Sequence, residues 1–300
     1  MGPFAWDRIG TILKRPAHRV SVDGFWIDRV PVTNAQFAAF IKATRYVTAA
    51  ERPLNALDYP GLPRHMLKPA SLVFAPPAHV AAVNDWKQWW GLGFGASWRH
   101  PYGPGTSCQG LADHPAVHIA YEDALAYAKW AARDLPTEAE WEFAARGGLE
   151  GRDYAWGDTF MRNGRSMANT WHGIFPHENT RLDGFERTSP VGSFAPNGYG
   201  LFDMIGNVWE WTSDFYAPRH TAAVTAACCI PHNPRNLRSK ESVDSCQPNG
   251  RVPRRVIKGG SHLCAPNYCQ RYRPAARQGQ PVDSSTSHIG FRCIVRGGAV

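Results

Sequence analysis

Long apolar runs are missing from this chain of 300 residues. The most apolar stretch, residues 70–83, is too short to cross a bilayer and is broken by Pro76 and Pro77. Residues 1–19 carry Asp7, Arg8, Lys14 and Arg15 and have no continuous apolar core, which is not the pattern of a secretory leader. Long basic runs are missing too. The formal charge is +8, but the arginines stand singly between apolar and turn residues, so a nucleic-acid partner is not expected. Cysteine is scarce and odd in number, seven in all, which argues against a disulfide scaffold. These absences lead us to expect a soluble, cytoplasmic protein with neither a membrane nor a nucleic-acid partner.

What is plentiful is glycine (28), proline (24) and tryptophan (12). Frequent Gly and Pro predict many turns and long ordered loops. That many indoles require a large buried or groove-lining apolar volume. With 43% hydrophobic and 19% charged residues, the chain is globular and long enough for one large domain.

Periodicity predicts few regular elements. Val20, Val22 and Phe25 suggest a strand around an Asp23-Gly24 turn. Thr33 or Asn34 caps a helix that buries Phe37, Phe40 and Ile41. Residues 46–112 lack a period and read as a long packed loop. Residues 113–120 read as a short extended entry to a helix over 122–133, packed through Leu125, Tyr127 and Trp130. Thr137 and Glu140 form a capping box for another helix, which buries Trp141 and Ala144. Beyond Gly147 regular structure should be sparse, with a last strand over 290–295 and a loop insertion over 218–255. The expected fold is one α+β domain, residues 1–300, with low regular secondary structure.

The densest chemistry lies in GGSHLCAPNYCQRYRPAAR, residues 259–277. A turn through Ala265-Pro266-Asn267 lets the sulfurs of Cys264 and Cys269 converge. Two soft thiolates select Cu(I), zinc or an iron–sulfur cluster. Zinc in a structural site wants four protein ligands, and no matching second pair is evident. From spacing alone, a disulfide, two unrelated buried cysteines or half a zinc site remain open.

This segment, with VDSSTSHIGFRC at 282–293, resembles the C-terminal signature of the formylglycine-generating enzymes. FWIDRVPVTNAQFAAFI (25–41), HPAVHIAYEDALAYAKWAARDLPTEAEWEFAARGGL (114–149) and PNGYGLFDMIGNVWEWTSDFY (196–216) agree in order. The resemblance implies a fold related to C-type lectin-like domains. It implies an oxidase that uses O2 and a thiol reductant to convert the cysteine of a Cys-x-Pro-x-Arg motif, in an unfolded or nascent sulfatase polypeptide, into Cα-formylglycine. Cys264 and Cys269 would then hold Cu(I), with the substrate cysteine as a third thiolate. Ser261 and Trp209 match active-site residues of the family; a turn hydroxyl and a core indole are their ordinary alternatives. Tyr268 would orient the copper loop or pack beneath it. Arg271, Arg273 and Arg277 would line the groove or, as exposed arginines usually do, form ion pairs.

The resemblance also implies two calcium sites. One comprises Asn169 and Asp183 with the carbonyls of Thr170 and Phe185; the other comprises Asp203 and Glu210 with the carbonyls of Gly206 and Val208. Calcium takes several oxygen ligands at once and would pin loops, whereas Asp and Asn alone commonly cap turns. The chain departs from the family at several points. Met1-Gly2 stands where an opening strand is usual. Ala128, Ala145 and Pro274 stand where animal members place disulfide cysteines, which leaves Cys293 without a partner. Ala265 replaces a frequent histidine. Cys228, Cys229 and Cys246 have no family role. The alternative function is a non-catalytic lectin-like binding module on the same fold. Iron-dependent sulfoxide synthases need a further helical domain for which 300 residues leave no room.

Overall fold

Thr33 stops the chain in extended conformation, and its hydroxyl accepts the Gln36 N–H while the Gln36 side chain reaches back to the Thr33 N–H. This reciprocal cap starts helix α1, Asn34–Thr44. In the computed structural model, which describes residues 18–57, 59, 61–79, 85–218, 230–244 and 252–297, α1 is one of three helices. Helix α2 is Tyr121–Trp130, and α3 is Glu138–Arg146. The predicted capping box of α3 is present, with Thr137 and Glu140 each satisfying a backbone donor of the other. None of these helices is long and apolar enough to cross a membrane.

Among the described residues there are also ten short strands and several single-turn 3-10 helices. Strand β1, Phe25–Ile27, pairs antiparallel with β10, Ile294–Arg296, so the two ends of the described chain close on each other. Strand β2, Ala70–Phe74, pairs with β3, Trp90–Phe94. Strands β4, Met161–Arg162, and β5, Arg165–Ser166, form a small hairpin. The largest sheet has four strands in the order β8-β7-β6-β9, with β6 Trp209–Phe215, β7 Arg254–Lys258, β8 Gln278–Pro281 and β9 Ile289–Gly290. Its outer pair β6·β9 is parallel and the others are antiparallel.

Several expectations needed correction. Residues 46–112 are not all loop: β2 and β3 form there, because Leu72, Phe74 and Trp90 find apolar partners that come from distant segments. The expected final strand splits at 291–293 into β9 and β10, which belong to different sheets. The main sheet lies in the region expected to be poorest in regular structure. Its strands are separated by long loops, so no local period reveals the pairing. At the end of the expected 218–255 insertion, Arg254 and Arg255 lie in β7, and Lys240–Ser242 forms a 3-10 turn. Cys228, Cys229, Cys246 and Met1-Gly2 lie outside the described residues. Trp130 packs its ring on Phe40 and Tyr127 but remains 44% exposed, and is therefore a rim residue and not a core one.

The main core joins Phe37, Phe40, Tyr127, Trp98, Trp211 and Phe291 across α1, α2 and the sheet. A second cluster, Trp89, Trp90, Trp171, Phe175, Leu263 and Ala265, sits beside the cysteine loop. It is this second cluster that shapes the candidate site.

Candidate active site at the cysteine pair

Strand β7 delivers the chain to Gly259-Gly260-Ser261. Gly260 has a φ of 69°, and a Cβ there would stand 2.7 Å from the Tyr272 Cα, so only glycine lets the loop lie against its own return segment. The Cys264 N–H donates to the Ser261 carbonyl at 2.9 Å, and the Cys269 N–H donates to the Ala265 carbonyl at 2.9 Å. These two bonds form the turn that the spacing predicted. The loop is anchored from outside by the Trp171 N–H, which donates to the Cys264 carbonyl at 3.0 Å, and by the His262 N–H, which donates to the Asn207 carbonyl at 3.0 Å.

The Sγ atoms of Cys264 and Cys269 lie 3.1 Å apart as free thiols. A disulfide would hold them at about 2.05 Å, so the disulfide alternative does not describe this arrangement. Burial pushes the Cys264 thiol well up, so the shared proton stays there. Cys269 is pulled down to about 7, first by its hydrogen bond with Cys264, with the nearby Arg271 charge and backbone N–H groups adding to the effect against the opposing burial. Of the two, Cys269 is the more readily deprotonated.

The two sulfurs lie in a recess of about 30 Å³, lined also by Trp90, Trp209, Ser261, Tyr268 and His288. Room of that size admits a water molecule or a small diatomic beside the sulfurs. Trp209, at the start of β6, is buried and lines the recess, so it is both a core indole and a site residue. Ser261 is fully buried, and its hydroxyl accepts the Leu263 N–H at 3.2 Å. Tyr268 stacks on Phe175 with centroids 4.3 Å apart and meets Trp89 edge-on. Of the three arginines, only Arg271 lines the recess, donating to Gln278 Oε1 at 2.6 Å. Arg277 is turned away onto Glu138 and the Ala217 carbonyl, and Arg273 onto Asp153. The sequence alone did not single out Trp90, Phe175, Gln278 or His288. His288 and Phe175 lay within segments that carried other signals and Trp90 in a tryptophan-rich stretch, but nothing in the sequence tied them or Gln278 to the cysteines.

The donor set suits a soft monovalent ion. Among the described residues no group of three His, Cys, Asp or Glu side chains is gathered for a metal, so a conventional zinc site has too few ligands. Two sulfurs beside open space fit Cu(I), which accepts low-coordinate thiolate ligation.

The oxygen-rich segments divide into two cases. In the first set, the Asp183 side chain is fully buried and accepts the Thr170 N–H and Phe185 N–H at 2.9 and 3.0 Å. Its ionic neighbour is His172 at 3.7 Å. Burial lowers the basicity of His172, so it provides little countercharge. The Thr170 hydroxyl is buried without a partner, and Asn169 donates its amide to the Arg187 carbonyl at 2.8 Å. A buried carboxylate beside an orphaned hydroxyl fits a hard cation. In the second set, Asp203 is raised by burial and accepts the Gly192 N–H at 2.7 Å. Glu210, however, is already matched by Arg292, whose Nε and Nη2 lie 2.7 and 2.8 Å from its two oxygens. Calcium there has to share Glu210 with a guanidinium. The two sets abut, since a Cβ on Gly206 would stand 2.2 Å from the Asn169 carbonyl oxygen. The backbone carbonyls of Thr170, Phe185, Gly206 and Val208 lie in these same two segments.

The structure thus sets a close pair of cysteine sulfurs in an aromatic-lined recess, carried by loops on a mixed α+β scaffold. The family described as the sulfatase-modifying factor enzyme 1-like domain matches residues 1–297. The chain is 51% identical over 280 residues to the formylglycine-generating enzyme of Mycobacterium tuberculosis, covering 93% of this chain and 90% of that one. It is 45% identical to the Streptomyces coelicolor formylglycine-generating enzyme, covering 93% and 80%. It is also 36% identical to the inactive Cα-formylglycine-generating enzyme 2 of Mus musculus, covering 94% and 79%. The solved structure of PvdO from Pseudomonas aeruginosa shares the fold, with a TM-score of 0.58 at 23% identity over 91% of this chain and 80% of that one. The chain belongs to the sulfatase-modifying factor family, the formylglycine-generating enzymes.

Proposed function

We propose that this chain is an oxidase that converts a peptide cysteine of a sulfatase, within a Cys-x-Pro-x-Arg segment, into Cα-formylglycine. The observation that carries the reading is the 3.1 Å approach of Cys264 and Cys269 inside an aromatic recess. Cys264 and Cys269 would hold Cu(I), which when bound supplies the redox chemistry towards O2. In the overall reaction the peptide thiol, O2, two electrons and two protons give the peptide aldehyde, hydrogen sulfide and water. The two electrons come from a thiol reductant.

The remaining roles belong to this chain's own side chains. Trp209 and Tyr268 wall the recess and limit water beside the sulfurs. Ser261 braces the turn that holds Cys264 and brings a hydroxyl to the recess. Arg271 places a positive charge near both sulfurs, which favours thiolate. We also propose a cytoplasmic location, where reducing conditions keep the pair available. This is supported by a buried, unpartnered Cys293 and by the absence of cysteine at 128, 145 and 274.

The deciding experiment is mass spectrometry of a Cys-x-Pro-x-Arg peptide incubated with copper-loaded protein, O2 and a reductant. The peptide should lose the elements of hydrogen sulfide and gain one oxygen. Peptide left intact at every copper loading refutes the proposal and leaves a binding module on the same fold.

Calcium at Asn169, Thr170, Asp183 and Phe185 is proposed as a structural ion. Its removal should lower the thermal midpoint, because a ligand held only by the folded state stabilises by about 2.7 kcal/mol at a hundredfold excess over its Kd. Differential scanning fluorimetry with calcium and with chelator checks this. Asp183→Asn should abolish the difference between the two conditions, and a wild-type midpoint that ignores calcium rejects the site.

A further inference from the structure

His288 lines the recess but has no part in the roles above. It is nine-tenths buried, and its ring packs on Trp90 with centroids 4.7 Å apart. Its Nδ1 lies 2.5 Å from Thr286 Oγ1, and its backbone N–H donates weakly to that same oxygen at 3.4 Å. Thr286 is fully buried, and among the described residues its hydroxyl proton has no other acceptor. Leaving a buried O–H unspent costs roughly 1–3 kcal/mol, so the hydroxyl donates to Nδ1. The ring's own proton then sits on Nε2. With Nδ1 and one ring face committed, Nε2–H is the group left for the recess.

Among the described residues no carboxylate is a charge neighbour of this imidazole. Its titratable neighbours are His262 and His118, themselves buried and pushed down to about 4. Nor does it join the cysteines as a metal ligand, since among the described residues no three-residue cluster is gathered there and a protonated Nε2 has no lone pair to offer.

We infer that His288 is a fixed, uncharged hydrogen-bond donor to the sulfur of the incoming peptide cysteine, holding it as thiolate beside Cys264 and Cys269. Cys264, Cys269 and His288 line the same recess, so a sulfur brought to the two cysteines enters the space that the imidazole borders. A donor aimed at an anionic acceptor makes one of the stronger hydrogen bonds. The inference rests on the proposed reading of this chain as an enzyme acting on a peptide cysteine.

The test is peptide binding to copper-loaded protein without O2, using a Cys-x-Pro-x-Arg peptide and the same peptide with alanine in place of cysteine. His288→Ala should weaken the cysteine peptide about tenfold or more, the scale of a hydrogen bond to a charged group, and leave the alanine peptide unchanged. His288→Gln, which keeps an amide donor, should recover most of that affinity, whereas His288→Leu, which only refills the space against Trp90, should not. Equal loss for both peptides, or His288→Gln no better than His288→Leu, overturns the inference while leaving the enzymatic reading standing. A wild type that binds both peptides alike ends both. Since His288→Gln and His288→Leu refill the site, their comparison decides the matter even if His288→Ala does not fold.

Discussion

Cys269→Ser should abolish tight Cu(I) binding and peptide conversion while leaving the fold in place, and Cys264→Ser should do the same at a greater cost in stability. The difference follows from position. Cys264 is buried at the centre of the core cluster, so a hydroxyl there enters an apolar site, whereas Cys269 is only half-buried and packs at its edge. Serine is hard and weakly acidic, and it cannot replace a soft thiolate. Each cysteine is one of only two sulfurs at the site, so the loss should exceed the roughly 10–100-fold that follows removal of an outer-shell partner. A competition titration with a Cu(I) indicator, run beside thermal unfolding, separates the two effects. Unchanged affinity in both variants would show that the ion, if bound, sits elsewhere.

Arg292→Met should destabilise the protein by about 3–5 kcal/mol, the cost of leaving one member of a buried ion pair uncompensated. Both side chains of the Arg292–Glu210 pair are fully buried, and the guanidinium also donates to the Asp28 carbonyl at 3.1 Å and the Phe202 carbonyl at 2.9 Å. Glu210 further accepts the Trp141 indole N–H at 2.7 Å. The pair thus ties the C-terminal segment to the residue after β1, to the loop before β6 and, through Glu210, to α3. The effect should reach the site, because Glu210 is the immediate neighbour of Trp209 on β6. Denaturant unfolding at fixed temperature measures the loss. Combining Arg292→Met with Glu210→Gln should recover part of it, since the stranded charge is then gone. A single variant within about 1 kcal/mol of wild type, a margin typical of exposed pairs, would show that the pair is dispensable.

The predicted elements divide by the range of the forces that form them. The caps at Thr33 and Thr137 and the burial of Phe37, Phe40, Trp141 and Ala144 were legible because they repeat within one or two turns of helix. The meeting of Cys264 and Cys269 was legible because a five-residue separation through Ala265-Pro266-Asn267 closes by local turn geometry. Asp183 accepts from Thr170, two residues that the family resemblance had grouped. The commitment of Glu210 to Arg292 carried no such signal, because the partners are 82 residues apart.

The amino-acid order by itself determined the close pair Cys264 and Cys269 behind Gly259, Gly260 and Ser261, and the starts of the helices, which are written in their own first turns. The tertiary structure decided what surrounds that pair. Trp90 arrives from β3, Phe175 from a loop, Gln278 from β8 and His288 from the approach to β9, and each is placed by packing and pairing between segments far apart in the chain. Contacts of that range leave no period in a sequence. They arise from burying apolar surface against whichever distant partner completes it, and so the walls of the recess became visible only with the folded chain.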